Sequence, residues 1–312
     1  MKASPHPTSS AASREQNGPS SGLEHSFRFI PHPAAVTYLR LVSHLRRHEA
    51  GRDRPKCVHL AAGPGAGKTR LQMHYLEQVA PQSNEGGPRH REVIYVEAPY
   101  DGHHSKLARS IIDACLPGGY PVRRPSALCE TALTILSSSG VRQILIDEAG
   151  NFLNAGRSTQ QQTLAFIKAI TNRGVTVSIA STMNLVNVLA ADEQLQSRFT
   201  RIEIPTWTES QSFRSFLASI EIELALPQPS GLNDQVIVRW MIARGCCTTS
   251  RILEVISGAK RIADERGLSR IDVQLLDLAL SHGYVGGGHS AWRFLTSRCG
   301  LRSFRARVFS RG

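Results

Sequence analysis

The chain has 312 residues, enough for one large domain or two ordinary ones, and 41% of it is hydrophobic, as in soluble globular proteins. Its 37 basic side chains outnumber 25 acidic ones for a formal charge of +12, and six lysines against thirty-one arginines make that excess guanidinium, the cation that pairs with phosphate in bidentate fashion. No run approaches the ~18 apolar residues that a membrane-spanning helix needs, and the six cysteines form no C-x-x-C pair, so reduced, structural thiols are expected.

Residues 1–24 are rich in Ser, Pro, Gly and Ala without a hydrophobic period and read as a disordered tail. They lack the apolar centre of a signal peptide, so a cytoplasmic location is expected. "AAVTYLRLVSHLRRHEA" (34–50) spaces Val36, Leu39, Val42 and Leu45 as a helix does. "KCVHLAA" (56–62) reads as a buried strand entering a glycine turn, and "TRLQMHYLEQVA" (69–80) as the helix leaving it. A surface loop, "PQSNEGGPRHR" (81–91), leads to a second strand, "EVIYVEAP" (92–99), and then to helices around 105–116 and 126–138. "RQILIDEA" (142–149) is a third strand, 158–174 a helix closed by glycine, "VTVSIAST" (175–182) a fourth strand and "RIEIP" (201–205) a fifth.

Strands separated by helices predict a parallel sheet covered on both faces. Beyond Pro205 only helical patterns follow, over 209–225, 233–244, 250–266 and 271–281. The expected fold is therefore α/β: a three-layer P-loop domain over 25–206 with a five-stranded parallel sheet. A small helical lid domain over 207–281 follows it. The end, 282–312, holds six arginines and no acid.

The chemistry centres on "AAGPGAGKTR" (61–70). It fits G-x-x-x-x-G-K-[ST] except that Ala62 stands first, where a small residue suffices. Gly63, Gly65 and Gly67 give the backbone freedom to aim successive N–H groups at phosphates, with Pro64 and Ala66 between them. Lys68 is expected to bridge the β- and γ-phosphates of ATP, and Thr69 to hold Mg²⁺ through its hydroxyl. The first turn of the helix, through Arg70, adds its dipole. "ILIDE" (144–148) supplies the companion acids: Asp147 accepts from waters on Mg²⁺, and Glu148 polarises the attacking water. Lys68 and Asp147 lie 79 residues apart, room for the βα units that bring both strand tips together. A catalytic Glu beside the Walker B aspartate marks an ATPase rather than a small-molecule kinase, and no kinase-type arginine lid follows the P-loop helix.

The order P-loop, "ILIDEAGNFL", "VSIASTMNLVNVLAADEQLQSRFTRIEIPTW" and a helical lid resembles the AAA+ ATPases. More narrowly, "FIPHPAAVTYLRLVSHL", "LIDEAGNFLNAGRSTQQQTLAFIKAI", "LQSRFTRIEIPTWTESQSFRSFLASIE" and "TTSRILEVISGAKRIADERGLSRID" resemble the TniB family of transposition ATP-binding proteins, related to TnsC and Mu B. This likeness covers about residues 27–280. That family usually has Val-His after the Walker B acids; Ala149-Gly150 stand here, so no role attaches to such a histidine. The AAA+ resemblance implies that Thr182, with Ser181 or Asn184 as alternatives, is sensor 1. It implies that Arg198, with Arg201 as its rival, is the arginine finger acting on a neighbouring subunit's ATP. Arg251 would be sensor 2.

The family resemblance further implies a homo-oligomeric ring or filament that forms with ATP on double-stranded DNA. It would recruit a TniA-like DDE transposase, alongside a TniQ-like targeting protein. Pore-facing DNA contacts would come from "DGHHSK" (101–106) and "PVRRPS" (121–126), through His103, His104, Lys106, Arg123 and Arg124. The alternative is an AAA+ signalling or defence switch that never encircles DNA.

Overall fold

The computed structural model describes residues 29–80, 91–121 and 125–281. Five strands, β1 (Cys57–Ala62), β2 (Val93–Glu97), β3 (Gln143–Asp147), β4 (Thr176–Ser181) and β5 (Phe199–Ile204), pair in parallel in the order β2-β3-β4-β1-β5. The three central strands, β1, β3 and β4, are buried at every residue, whereas the two edge strands expose part of theirs. Burial at every residue of these three strands is the mark of a sheet with helices on both faces.

Side chains alternate across the sheet. Val58, Leu60 and Ala62 of β1 point into a core shared with α1 (Pro33–His44) and α2 (Lys68–Val79). On the opposite face Cys57, Ile144, Ile146, Val177 and Ile179 meet α3 (His104–Cys115), α4 (Leu128–Ser138) and α5 (Arg157–Asn172). Helix α1 starts at a proline after His32, whose ring Nδ1 accepts from Ala34 N–H, and continues as one π turn over Leu45–Glu49. Its buried face is Ala35, Tyr38, Val42 and Leu45; Val36 and Leu39, expected inside, are only half-buried. Tyr38 sets that phase, because it is fully buried and its hydroxyl pairs with Ser178 of β4 at 2.8 Å.

Two short helices between β4 and β5, α6 (Leu185–Ala190) and α7 (Glu193–Arg198), follow from no period strong enough to read in sequence. Asp192 organises them, accepting at the N-terminus of α7 from Gln194 and Leu195 N–H while Lys168 of α5 bonds its other oxygen. The last four helices among the described residues are α8 (Gln211–Leu224), α9 (Gln235–Ala243), α10 (Thr249–Glu265) and α11 (Val273–Ser281). They enclose a core of their own, including Phe213, Leu217, Met241 and Val255, with Trp207 stacked on Phe216 at its rim.

The loop leaving β2 docks on the turn that leaves β3. Ala98 N–H donates to Asp147 C=O, and the amides of Asn151 and Asn154 donate to Ala98 and Tyr100 C=O. Gly102 makes this approach possible: its φ is +66°, and a Cβ there would stand 2.8 Å from Asn151 O and 3.0 Å from Phe152 Cα. Gly102→Ala is therefore expected to cost about 2 kcal/mol of stability, from a left-handed backbone combined with backbone overlap, measured by urea unfolding.

Candidate functional site

The glycine turn lies at the C-terminal tip of β1, where a parallel sheet offers its ligand crevice. Gly65 and Gly67 have φ of +71° and +92°, and Gly67 is the residue from which α2 starts. The first rung of that helix runs from Leu71 N–H to Gly67 C=O, so the N–H groups of Lys68, Thr69 and Arg70 precede the ladder and face the turn. Ala62, in the first motif position, is the buried last residue of β1, which explains the need for a small side chain. Lys68 Nζ donates to Ala62 and Gly63 C=O at 3.0 Å each, folded back over the loop. Burial lowers its pKa, opposed by the charges of Asp147 and Glu148. The Arg70 guanidinium instead turns along the helix to Glu77, 3.1 Å away.

Asp147 ends β3 and is 1% exposed, yet its carboxylate is fully engaged. One oxygen accepts from the Thr69 hydroxyl at 2.6 Å and the Tyr95 hydroxyl at 3.0 Å; the other accepts from Glu148 N–H at 2.8 Å. Tyr95 is a site residue that the sequence reading missed. The available signal was a phenol in the middle of a strand, which needs a polar partner once buried. Burial, then the Asp147 charge, pushes its pKa upward, so it remains a donor.

Glu148 adopts a left-handed conformation, φ 51° and ψ 30°, rare for a residue with a side chain, and begins a 3-10 turn over Ala149–Asn154. Its side chain leaves the strand direction and stays exposed at the sheet tip. Burial and the neighbouring Asp147 charge raise its pKa, with Lys68 pulling the other way. The donor set is oxygen only: a hydroxyl and a carboxylate in contact, with a second carboxylate adjacent. That suits Mg²⁺, which keeps several waters and takes few protein ligands. Among the described residues no group of three or more His, Cys, Asp or Glu is placed to hold a metal unaided.

Thr182 follows β4 directly, and its hydroxyl oxygen faces Gly150, where a Cβ would lie 3.6 Å away. It thus stands beside the turn that carries Glu148. Ser181 is buried and donates to Thr182 C=O, whereas Asn184 is exposed. Arg251 lies in the first turn of α10, one residue after Ser250, whose N–H donates to Gly65 C=O at 2.9 Å. The start of α10 therefore touches the glycine turn itself, and Arg251 sits in a 3.6 Å ion pair with Glu254 near that contact. A narrow cleft beside it is lined by Gly63, Pro64 and Ala66, by Ile204 to Trp207, and by Cys247 to Thr249.

The two finger candidates differ. Arg198 is 6% exposed and donates to the Thr171 hydroxyl of its own chain, close to Cys57 at the N-terminal end of β1. Arg201 lies on the β5 edge, half exposed, with Glu203 at 3.4 Å. Sequence reading preferred Arg198 on motif position; its burial was invisible because α7 was.

Of the DNA-contact candidates, His103 caps α3, accepting from Ser105 N–H, and His104 stacks on it with ring centres 4.5 Å apart. Lys106 is held by Asp101 at 2.6 Å and lies over the exposed Tyr100 ring. Arg123 and Arg124 lie outside the described residues.

Similar solved structures share the fold. The Aeropyrum pernix ORC1 protein in complex with DNA superposes with a TM-score of 0.56 at 18% identity, over 81% of this chain and 65% of that one, just under two thirds of its length. Drosophila ORC bound to DNA gives 0.57 at 18% identity, over 88% of this chain and 70% of that one. Domain III of the Thermotoga maritima replication initiation protein DnaA gives 0.51 at 17% identity, over 83% and 95%. The fold is accordingly the α/β fold of these proteins. No curated protein matches the sequence. The family described as bacterial TniB protein matches residues 24–209, more than half of the chain, and the protein belongs to the TniB family.

Proposed function

We propose that this protein is a Mg²⁺-dependent ATPase of DNA transposition that assembles on duplex DNA with ATP and delivers that DNA to a DDE transposase. The observation that carries the ATPase reading is the contact of Thr69 with Asp147 at 2.6 Å, with Glu148 turned out beside it and Lys68 on the same loop. In this reading the N–H groups at the start of α2 and Lys68 bind the triphosphate. Thr69 and Asp147 would hold Mg²⁺, which would supply positive charge to the triphosphate. Glu148 takes the proton of the attacking water, and Thr182, beside the Glu148 turn, orients that water.

Family membership, the +12 charge and two DNA-bound proteins among the similar structures support DNA as the polyanion. The loop 100–106, with Tyr100, His103, His104 and Lys106, together with Arg123 and Arg124, is the proposed contact surface, for which Asp101 competes with phosphate. Of the two finger candidates we assign the trans role to Arg201, the guanidinium that the β5 edge exposes. Arg198 serves its own chain as a lock between α7 and α5.

ATP-dependent filaments or rings on plasmid DNA, seen by electron microscopy and lost as salt rises, are the expected result. Oligomers that form equally without DNA and survive salt would instead favour a signalling switch. Glu148→Gln is expected to slow hydrolysis by about a hundredfold or more while assembly persists. Because Glu148 acts deprotonated and its pKa is raised, the wild-type rate should fall with decreasing pH at a higher pH than an ordinary carboxylate gives, a limb absent from the residual Glu148→Gln rate. Arg201→Ala should abolish the DNA-dependent rate with unchanged thermal stability, whereas Arg198→Ala should lower unfolding free energy by about 2 kcal/mol, the worth of a buried charged hydrogen bond.

A further inference from the structure

His59 is an unusual residue for the middle of a strand that is otherwise apolar and buried. It is 2% exposed and lies on the sheet face turned towards α3, α4 and α5, with Ile179 of β4 and Arg201 of β5 as its paired neighbours. Its ring Nε2 stands 2.7 Å from the Ser181 hydroxyl oxygen, which in turn stands 2.8 Å from Thr182 C=O.

The direction of this chain of bonds follows from what each group can do. A carbonyl oxygen only accepts, so the single Ser181 proton goes to Thr182. The hydroxyl then has only its lone pairs to offer, and His59 must donate from Nε2. That fixes the neutral tautomer with the proton on Nε2. Burial, and then the Arg201 charge, push its pKa down to about 4, in keeping with a neutral ring. The chain ends on the peptide of Thr182, whose side-chain oxygen faces Gly150 beside the Glu148 turn.

We infer that His59 is a positioning residue for hydrolysis: through Ser181 it fixes the Thr182 peptide, and so the direction in which the Thr182 hydroxyl meets the γ-phosphate end of the site. This rests on the ATPase reading above. A polar pair kept in an apolar layer costs desolvation, which a pair of apolar side chains would avoid. The return is a strand tip held to one orientation, where a small misplacement lowers the rate without touching nucleotide affinity.

The test compares His59→Leu, His59→Gln and Ser181→Ala in the full chain with duplex DNA. ATP turnover is measured beside the affinity for a fluorescent ATP analogue, with thermal unfolding as a check on folding. Leu removes the donor; Gln places an amide N–H near the ring Nε2 position; Ala removes the relay hydroxyl. His59→Leu and Ser181→Ala are each expected to lower kcat about tenfold with affinity within about twofold. His59→Gln should recover most of the rate, and combining His59→Leu with Ser181→Ala should cost no more than either alone, since both break one chain of bonds. If His59→Leu does not fold, Ser181→Ala and His59→Gln decide the question.

Wild-type turnover in folded His59→Leu or in Ser181→Ala overturns the assignment. So does an equal loss in the Gln and Leu variants, or a loss of affinity in step with rate. A wild-type protein that binds the analogue but turns over no ATP removes the ATPase reading itself, and the positioning role with it.

Discussion

A buried carboxylate has to be satisfied, and in this fold Asp147 is satisfied by three elements at once. The Thr69 hydroxyl comes from α2, the Tyr95 hydroxyl from β2, and the Glu148 N–H from the turn leaving β3. An isolated charge at 1% exposure would cost several kcal/mol, so these donors are a condition of the sheet closing in this order. The same bonds that stabilise the charge also align the glycine turn with the acidic strand tip. Stability and site geometry therefore rest on one group, and removing Asp147 would damage both.

The bond from Glu148 N–H has a second consequence. It holds Glu148 in a left-handed turn, and the 3-10 segment that follows is the platform on which the loop leaving β2 rests through Asn151, Asn154 and Gly102. Anything that shifts the Glu148 turn must move the base of the 100–106 loop, because Gly102 leaves no slack there. The proposed catalytic carboxylate and the proposed polyanion-binding segment are thus joined through about six residues of tightly bonded backbone.

Much of this was legible in the sequence. Four strands show as runs rich in apolar residues and the fifth as an alternation around Ile202 and Ile204, and the P-loop and Asp147-Glu148 are local motifs whose chemistry fixes their place at strand tips. What was illegible has a common cause: it depends on which side chains meet across the sheet. The inward phase of α1 is set by Tyr38 reaching Ser178 on β4, a partner 140 residues away. Tyr95 joins the site through a neighbouring strand, and His59 through another. Helices α6 and α7 are too short to show a period, and Asp192 caps one of them with help from Lys168 of α5. With α7 unseen, the sequence carries no sign that Arg198 is buried.

The β5 edge shows how such hidden contacts decide an interface. An open edge strand invites another strand to pair with it. Here Thr200, Arg201 and Glu203 are exposed along it, with Arg201 and Glu203 paired across 3.4 Å, and charge of this kind discourages strand addition. A second copy approaching this edge would meet side chains rather than bare backbone. The Arg201 charge is also felt by the buried His59 opposite it in register, one strand closer to the Thr182 tip.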